Sequence, residues 1–394
     1  MLGLGCLAWW VWDRGRRPHS DGDGFQPVRW AFILMAFAFL ASFVAAMVRP
    51  IDSAEFSSAQ LGMVLVAGWG GVLLVAHDGI PSTERLHVLL RRVVAAGGAM
   101  ATLGIAQFVT GDPLVDGISI PGLTSNHNQF AITQREGFTR PPGMATHPIE
   151  YGAVITMILP LALALAFSDT GRSTLRRWFP VLVLVIAVPL AISRSALLSA
   201  VVGCVLIAVS WPSATRRLAA VAATVLAGCI YVLVPGMLGS LLGLFTNIGG
   251  DSSALSRTGS YPIAFDFIEK SPLFGRGFAT FLPSYRILDN QFLGLLIEVG
   301  IVGVASVIGL ILTAFICVLR ARRHLQDELS RQAAQGLAAA VAAGTASFAV
   351  FDGLSFPISA GLFFLMVGLT GAAVRHGRRD AAAAAGAVHD VDVT

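Results

Sequence analysis

The sequence predicts an all-α fold, a polytopic bundle of transmembrane helices, and three observations lead to this prediction. Of the 394 residues, 55% are hydrophobic and only 13% are charged, which gives too little polar surface for a water-soluble domain. Long apolar stretches recur along the whole chain, and most approach the roughly 20 residues that cross a bilayer as a helix. The stretches are continuous rather than alternating, which indicates helices and not the strands of a barrel.

Ten apolar stretches predict ten spans, and residues 2–12 predict a further short helix. The predicted spans are residues 28–48, 60–76, 93–109, 149–167, 178–192, 195–210, 217–235, 289–319, 332–351 and 355–374. We therefore expect one integral membrane domain over residues 1–394, with about 10–12 helices. The Ala-rich and then acidic residues 376–394 are expected to form a disordered cytoplasmic tail.

The positions of the basic residues predict how the helices are oriented. Six basic segments fall on one side of the predicted bundle, and such segments mark the cytoplasmic face. They are Arg14–Arg17, Arg85–Arg92, Arg172–Arg177, Arg216–Arg217, Arg320–Arg331 and Arg375–Arg379. Two long loops, residues 110–148 and 236–288, then lie on the extracytoplasmic face. The larger loop is expected to carry interfacial helices, because Ser260 and Pro262 suit the start of a short amphipathic segment and Pro272 its end.

The spans 178–192 and 195–210 are each only about fifteen residues long. A full crossing takes about twenty residues, so we expect the turn at Ser193-Arg194 to lie below the extracytoplasmic surface. An arginine near the hydrocarbon usually faces a partner or an aqueous cavity. Arg194 is therefore either an anion-binding residue or a side chain that reaches back to the interface.

Polar residues also stand at the ends of both long loops. Arg140 and His147 flank a Pro-Pro-Gly turn just before a span, where they form either part of a site or an ordinary solvated loop. Arg257 precedes the short helix of the second loop, and Arg276 lies in a Pro-Leu-Phe-Gly-Arg-Gly run. Asp289 precedes a long span, where helix capping alone would also explain an acid.

Glu298 lies about two and a half turns into the span that follows Asp289, so it is expected to pair, for example with an arginine, or to face a cavity. The other candidates all fall on or just beneath the extracytoplasmic face. Several cations there suit a leaving group on which negative charge develops, and a carboxylate suits a general base for an acceptor hydroxyl. The extracytoplasmic loops contain no Asp-x-Asp motif, and the four cysteines show no metal-ligand spacing, so neither a metal nor another cofactor is expected.

These candidates fall into four short patterns. The patterns are Arg140 to Pro148, the pair Ser193-Arg194, Arg257 with the run Pro272 to Gly277, and Asn290 followed by Gly300 and Gly303. In this order the sequence resembles the O-antigen ligase and O-antigen polymerase superfamily of bacterial membrane proteins. The resemblance is close over residues 140–310 and rests on topology elsewhere.

The resemblance implies an inverting, metal-independent glycosyl transfer at the outer leaflet of the bacterial inner membrane. The donor would be a glycan on a polyprenyl pyrophosphate, and the acceptor a saccharide or lipid-saccharide; no nucleic acid is involved. Arg194 and Arg257 would bind the pyrophosphate, and Asp289 would activate or orient the acceptor hydroxyl. The further substrate-binding candidates are Arg140, His147, Arg276 and Asn290.

One residue departs from the family pattern, because Asp289 stands where the ligases are expected to have a histidine. This change favours a polymerase, or a related enzyme for another surface glycan, over a ligase. Two other classes remain open: a transporter or flippase of lipid-linked saccharides, and a non-catalytic membrane scaffold. A transporter is expected to keep polar residues in both halves of the membrane, whereas the candidates here crowd on one face, which favours an enzyme.

Overall fold

The computed structural model describes residues 2–16, 24–115, 132–135, 137–246 and 259–391. Nearly all of them are helical. The helices are α1 (Leu2–Arg16), α2 (Pro27–Met47), α3 (Ser53–Asp78), α4 (Thr83–Thr110), α5 (Pro148–Ser168), α6 (Thr174–Leu190), α7 (Arg194–Ala208), α8 (Ser213–Leu233), α9 (Met237–Thr246), α10 (Tyr261–Lys270), α11 (Gln291–Ala321), α12 (Glu328–Phe348) and α13 (Pro357–Val391).

Each of the ten predicted spans coincides with one of these helices, so the predicted polytopic helical bundle is confirmed. Seven of the described helices are long and apolar enough to cross a bilayer. Among the rest, α6 has 17 residues and α7 has 15. At 1.5 Å per residue both are shorter than the roughly 30 Å hydrocarbon core. The three residues that join them, Ala191, Ile192 and Ser193, are all buried, as a sunken turn requires.

The helix α5 lies at the centre of the bundle and packs against α4, α6, α7 and α12. Small residues let these helices approach closely. A Cβ added at Gly152 of α5 would meet the Cβ of Ala196 on α7 at 2.8 Å, and one at Gly336 of α12 would meet that of Ala164 at 2.8 Å. In a membrane such contacts hold helices together, since lipid is as apolar as the side chains. By contrast α8, at the edge, buries none of its side chains.

A break in α11 explains two of the glycine patterns. Gly300 has φ +63° and ψ −169°, so the helical hydrogen-bond ladder stops there. The segment Pro272–Gly277 crosses the break and replaces the missing partners. The four bonds are Arg276 N to Ile297 O (3.0 Å), Gly277 N to Glu298 O (2.8 Å), Ile301 N to Pro272 O (2.9 Å) and Val302 N to Leu273 O (3.1 Å). Backbone groups at membrane depth need such partners, because lipid offers none.

The predicted short helix of the second loop is present as α10, but its surroundings differ from the expectation. The Ser260 side chain makes no capping bond; instead its Oγ accepts a hydrogen bond from Arg286 Nε at 2.9 Å. Ala264 and Phe267 belong to a cluster with Leu293 of α11. The apolar face of α10 therefore packs on protein, while Phe265 stays half exposed.

Two further differences concern chain ends and loops. Helix α13 runs to Val391, where the sequence predicted disorder from residue 376. Alanine is the strongest helix former, which accounts for the continuation through the Ala-rich tract. The first loop contains a hairpin that the sequence analysis did not predict, in which β1 (Thr133–Arg135) pairs antiparallel with β2 (Phe138–Arg140). We call the end of the bundle that carries both long loops the loop end.

Candidate active site

Asp289 lies at the loop end, immediately before the cap of α11. Asn290 is the N-cap, and its Oδ1 accepts a hydrogen bond from Leu293 N at 3.2 Å. The cap of α11 is thus provided by the side-chain oxygen of Asn290, and capping does not account for the presence of Asp289. Asp289 itself has φ +51°, a left-handed conformation that costs a non-glycine residue free energy and that aspartate tolerates better than most.

The carboxylate of Asp352 holds this strained backbone. Its Oδ2 accepts from Asp289 N at 3.1 Å and its Oδ1 from Asn290 N at 3.0 Å. Asp352 lies in the short connection between α12 and α13. A neighbouring bond, from Leu354 N to Gln291 Oε1 at 2.8 Å, ties the same connection to the first residue of α11. The position of Asp289 is thus fixed from a distant part of the chain.

Arg194 is the first residue of α7 and follows a second strained residue. Ile192 is buried and has φ +44°, which is unusual for a β-branched side chain. Ser193 caps α7: its Oγ lies 3.5 Å from Ala196 N and 2.8 Å from Ser195 Oγ. The half-buried Arg194 therefore lies at the positive end of a helix dipole, where anions are favoured.

Arg140 links the first loop to the turn before Arg194. It ends β2, is buried, and its Nε donates a hydrogen bond to Ala191 O at 3.3 Å. The fold thus brings the first and second sequence patterns side by side. Nothing in the local sequence around either pattern requires this contact, which depends on the packing of the hairpin against the end of α6.

His147 is the N-cap of α5, and its Nδ1 accepts a hydrogen bond from Ile149 N at 3.1 Å. A nitrogen that accepts carries no proton, so the neutral ring has its proton on Nε2. Burial lowers the pKa of His147 below its usual value, and the Arg140 guanidinium lowers it further; Glu150 and Asp289 act in the opposite direction. These interactions show that Arg140, His147 and Asp289 share one neighbourhood.

Glu150, which the sequence analysis did not single out, is fully buried beside His147. Its carboxylate accepts four hydrogen bonds and joins the start of α5 to the start of α13. The donors are Thr146 N (2.9 Å), Thr146 Oγ1 (2.8 Å), Ile358 N (2.8 Å) and Ser359 N (3.2 Å). This number of bonds makes Glu150 a structural support for the loop end.

Arg276 belongs to a separate cluster. Its Nη2 pairs with Glu55, which also accepts from Arg49 Nη2 at 2.7 Å and from Tyr285 Oη at 2.8 Å. The guanidinium lies 4.7 Å from the centre of the Phe267 ring, a cation–π contact. These contacts give Arg276 a structural role in joining α3 to the second loop, and its predicted substrate role stays a prediction.

The other sequence-predicted groups have simple outcomes. Glu298, expected to pair or to face a cavity, accepts a hydrogen bond from the backbone N of Phe281 at 3.2 Å. Arg257 lies outside the described residues, so its predicted role also stays a prediction. The sequence analysis missed Glu150 and Asp352. An acid in a first helical turn is too common a signal to single out Glu150, and Asp352 stood in a three-residue gap between two predicted spans.

Comparison with known proteins supports the sequence resemblance. No curated protein matches the chain. A chain of a solved structure described as "Structural coordination of polymerization and crosslinking by a peptidoglycan synthase complex" is 17% identical, with a TM-score of 0.45; the match covers 89% of this chain and 98% of that one. That likeness is too distant to carry an argument. A family model described as O-antigen ligase matches residues 179–308, which include Arg194, Arg257, Arg276, Asp289 and Asn290. This match, within a multi-pass helical bundle, confirms the predicted resemblance to the O-antigen ligase and polymerase superfamily over these residues.

Proposed function

We propose that this protein transfers a glycan from a polyprenyl-pyrophosphate carrier to a saccharide or lipid-saccharide acceptor at the outer leaflet, as a polymerase-type enzyme. One observation carries the proposal. Asp289 lies before the cap of α11, held in a left-handed conformation by Asp352, in the same neighbourhood as His147 and Arg140. A carboxylate that is not needed as a cap, near the cationic Arg140, suits a base beside an anionic leaving group.

In the proposed reaction the acceptor hydroxyl oxygen attacks the anomeric carbon of the donor sugar. The bond from that carbon to the pyrophosphate oxygen breaks as the new glycosidic bond forms, and the hydroxyl proton passes to Asp289. A single displacement of this kind inverts the anomeric configuration. The pyrophosphate leaves with its charge neutralised by Arg194, at the start of α7, and by Arg257. The step needs no metal, because arginines take over the stabilisation of charge.

Two strained residues support this choice of site. Ile192 precedes the pair Ser193-Arg194, and Asp289 is strained itself; both have positive φ. Conformations of this kind cost on the order of 1–3 kcal/mol and persist where the surrounding structure enforces them, often at functional sites. The left-handed backbone conformation at position 289 is compatible with either histidine or aspartate, since both are enriched in that conformation among non-glycine residues. The backbone therefore tolerates the replacement of histidine by Asp289.

The replacement of histidine by aspartate has a chemical consequence. Aspartate is intrinsically a much weaker base than histidine. We therefore expect Asp289 to accept the proton late, when the new bond to the anomeric carbon is largely formed. Such a base contributes more by orienting the hydroxyl than by removing its proton early. We therefore expect the loss of Arg194, which stabilises the charge of the leaving group, to lower the transfer rate at least as much as the loss of Asp289.

A deletion strain complemented with wild type or with single variants tests the proposal in cells. Asp289→Asn, Arg194→Ala and Arg257→Ala are expected to abolish long surface glycan at unchanged protein level. Arg320→Ala, at an exposed arginine far from the loop end, is the matched control and should behave as wild type. Loss of long chains with single units still delivered indicates a polymerase, whereas loss of all attached glycan with polymer left on the carrier indicates a ligase.

Transfer by purified protein in detergent separates an enzyme from a transporter or a scaffold. A detergent micelle does not separate two compartments, so a transporter would leave a lipid-linked donor chemically unchanged in it. Wild-type protein is expected to release carrier pyrophosphate and to lengthen the acceptor, whereas Asp289→Asn is not. If wild type is inactive in detergent although the deletion strain lacks surface glycan, the enzymatic proposal is wrong.

A further inference from the structure

A pocket lies at the end of the bundle opposite to the candidate active site. It is formed between the start of α4, the end of α5 and the start of α6, and it has a volume of about 600 Å³. Pockets that bind small ligands have volumes of roughly 300–1,000 Å³. We call this cavity the basic pocket, because four of its lining residues are arginines.

The charges of the basic pocket are largely uncompensated. One aspartate, Asp169, stands against four arginines, which leaves a net charge of +3. Asp169 is already engaged by Arg91, whose Nε and Nη2 donate to it at 2.8 and 2.7 Å. Arg172, Arg176 and Arg177 form no ion pair with any described residue. The Nε of Arg177 is buried and has no hydrogen-bond partner in the described part of the chain.

The rest of the basic pocket is apolar and continues onto the outside of the bundle. Its floor is formed by small and aliphatic residues of α4 and α5, such as Ala162 and Leu165. Leu175 and Phe179 of α6 line the pocket and are 74% and 46% exposed, so the apolar surface extends outward from the arginines. A ligand that fits both parts has a phosphate at one end and a hydrocarbon chain at the other.

We propose that the basic pocket binds an anionic phospholipid, with its phosphate on Arg172, Arg176 and Arg177 and an acyl chain along Leu175 and Phe179. Guanidinium groups form paired, charge-assisted hydrogen bonds to phosphate oxygens. Basic pockets between transmembrane helices are suited to anionic head groups. This proposal does not depend on glycan transfer, because the basic pocket and the candidate active site lie at opposite ends of the helices.

Native mass spectrometry of the purified full-length protein tests the proposal, with phosphatidylglycerol or phosphatidylcholine added. The test variant is Arg172→Gln/Arg176→Gln/Arg177→Gln. The control variant is Arg320→Gln/Arg323→Gln/Arg379→Gln, which removes the same charge from exposed arginines outside the basic pocket. We expect the test variant to retain phosphatidylglycerol roughly tenfold less than the control, and wild type to retain phosphatidylcholine poorly.

Three outcomes would overturn the proposal. Equal retention of phosphatidylglycerol by test and control variants would mean that only overall charge matters. Equal retention of both lipids by wild type would mean that the arginines do not select the head group. Displacement of the lipid by soluble glycerol phosphate would mean that the basic pocket binds a free phosphate compound rather than a lipid. Because a triple variant can fail to fold, Arg172→Gln and Arg176→Gln are also measured singly, and at least one is expected to weaken retention.

Discussion

Asp352 acts on the candidate active site through the backbone rather than through a side chain. Its carboxylate takes the two N–H groups of Asp289 and Asn290, and hydrogen bonds to a charged group are worth about 1.5–3 kcal/mol. Without them the left-handed conformation of Asp289 loses its main support. Asp352 is therefore a positioning residue, whose effect should appear only while Asp289 is functional.

We predict that Asp352→Ala lowers the turnover number roughly tenfold to a hundredfold, with the KM for the donor nearly unchanged. Asp352→Asn keeps one acceptor oxygen and should fall between Ala and wild type. Steady-state transfer by purified protein measures both constants, and Asp266→Ala, at an exposed acid on α10, is the control. In the Asp289→Asn background, Asp352→Ala should cause no further loss; an additive loss would mean that Asp352 acts independently.

His147 makes the stability of the loop end depend on pH. Because burial lowers its pKa in the folded protein, the unfolded chain binds more protons just below the usual value of about 6.5. The contribution of the neutral ring is therefore fully present above that value and is lost as pH falls toward the folded pKa. Asparagine caps a helix as well and does not titrate.

The melting temperature of the wild type, measured from pH 7.5 down to 5, should accordingly fall more steeply than that of His147→Asn. His324→Asn, which changes an exposed histidine at the other end of the bundle, should follow the wild-type curve. Parallel curves for wild type and His147→Asn would contradict the inference that His147 is neutral in the fold.

At the scale of elements, the interlock between α11 and the segment Pro272–Gly277 holds the second loop at the loop end. A Cβ added at Gly300 would lie 2.4 Å from Leu273 O and 2.6 Å from Gly275 N, with φ at +63°. The two glycine patterns of the sequence are therefore two halves of one contact. Because Arg276, Ser260 and α10 belong to the same loop, the interlock also holds the described part of that loop against α11.

We predict that Gly300→Ala is strongly destabilising, since the left-handed conformation costs about 1–2 kcal/mol and the backbone contact adds to it. Gly309→Ala is the matched control on the same helix, because nothing lies within 4 Å of its added Cβ. Alanine there should stabilise slightly through helix propensity. The comparison is made by thermal unfolding in detergent, and equal melting temperatures for the two variants would contradict the interlock.

At the scale of the whole molecule, the described parts of the two long loops lie at one end, and the described basic residues of the short connections lie at the other. The contacts from Arg140 to Ala191, from Glu150 to the start of α13, and from Asp352 to Asp289 all join elements at the loop end. The Arg91–Asp169 pair joins elements at the opposite end. Each span therefore reverses the direction of the one before it. The whole bundle then has only two possible orientations in the membrane, with the loop end outside or inside.

Labelling of single cysteines with a membrane-impermeant maleimide in intact spheroplasts determines which end of the bundle faces the outside. Gln134→Cys and Ser284→Cys, both exposed at the loop end, are expected to react from outside. Gln326→Cys and Thr174→Cys, exposed at the opposite end, should react only after permeabilisation. The reverse pattern would contradict the predicted extracytoplasmic site. A parent with its four native cysteines replaced serves as the blank.

The sequence alone determined the membrane bundle, its spans and the resemblance to the O-antigen ligase superfamily, because hydrophobic length and short local patterns follow from neighbouring residues. It also indicated Arg140, His147, Arg194 and Asp289 as candidates. Only the tertiary structure decided which of them share a neighbourhood, that Arg276 pairs with Glu55, and that Asp352 and Glu150 support the loop end. Those contacts join residues up to 221 positions apart, and such pairings depend on how helices pack, which no local pattern encodes.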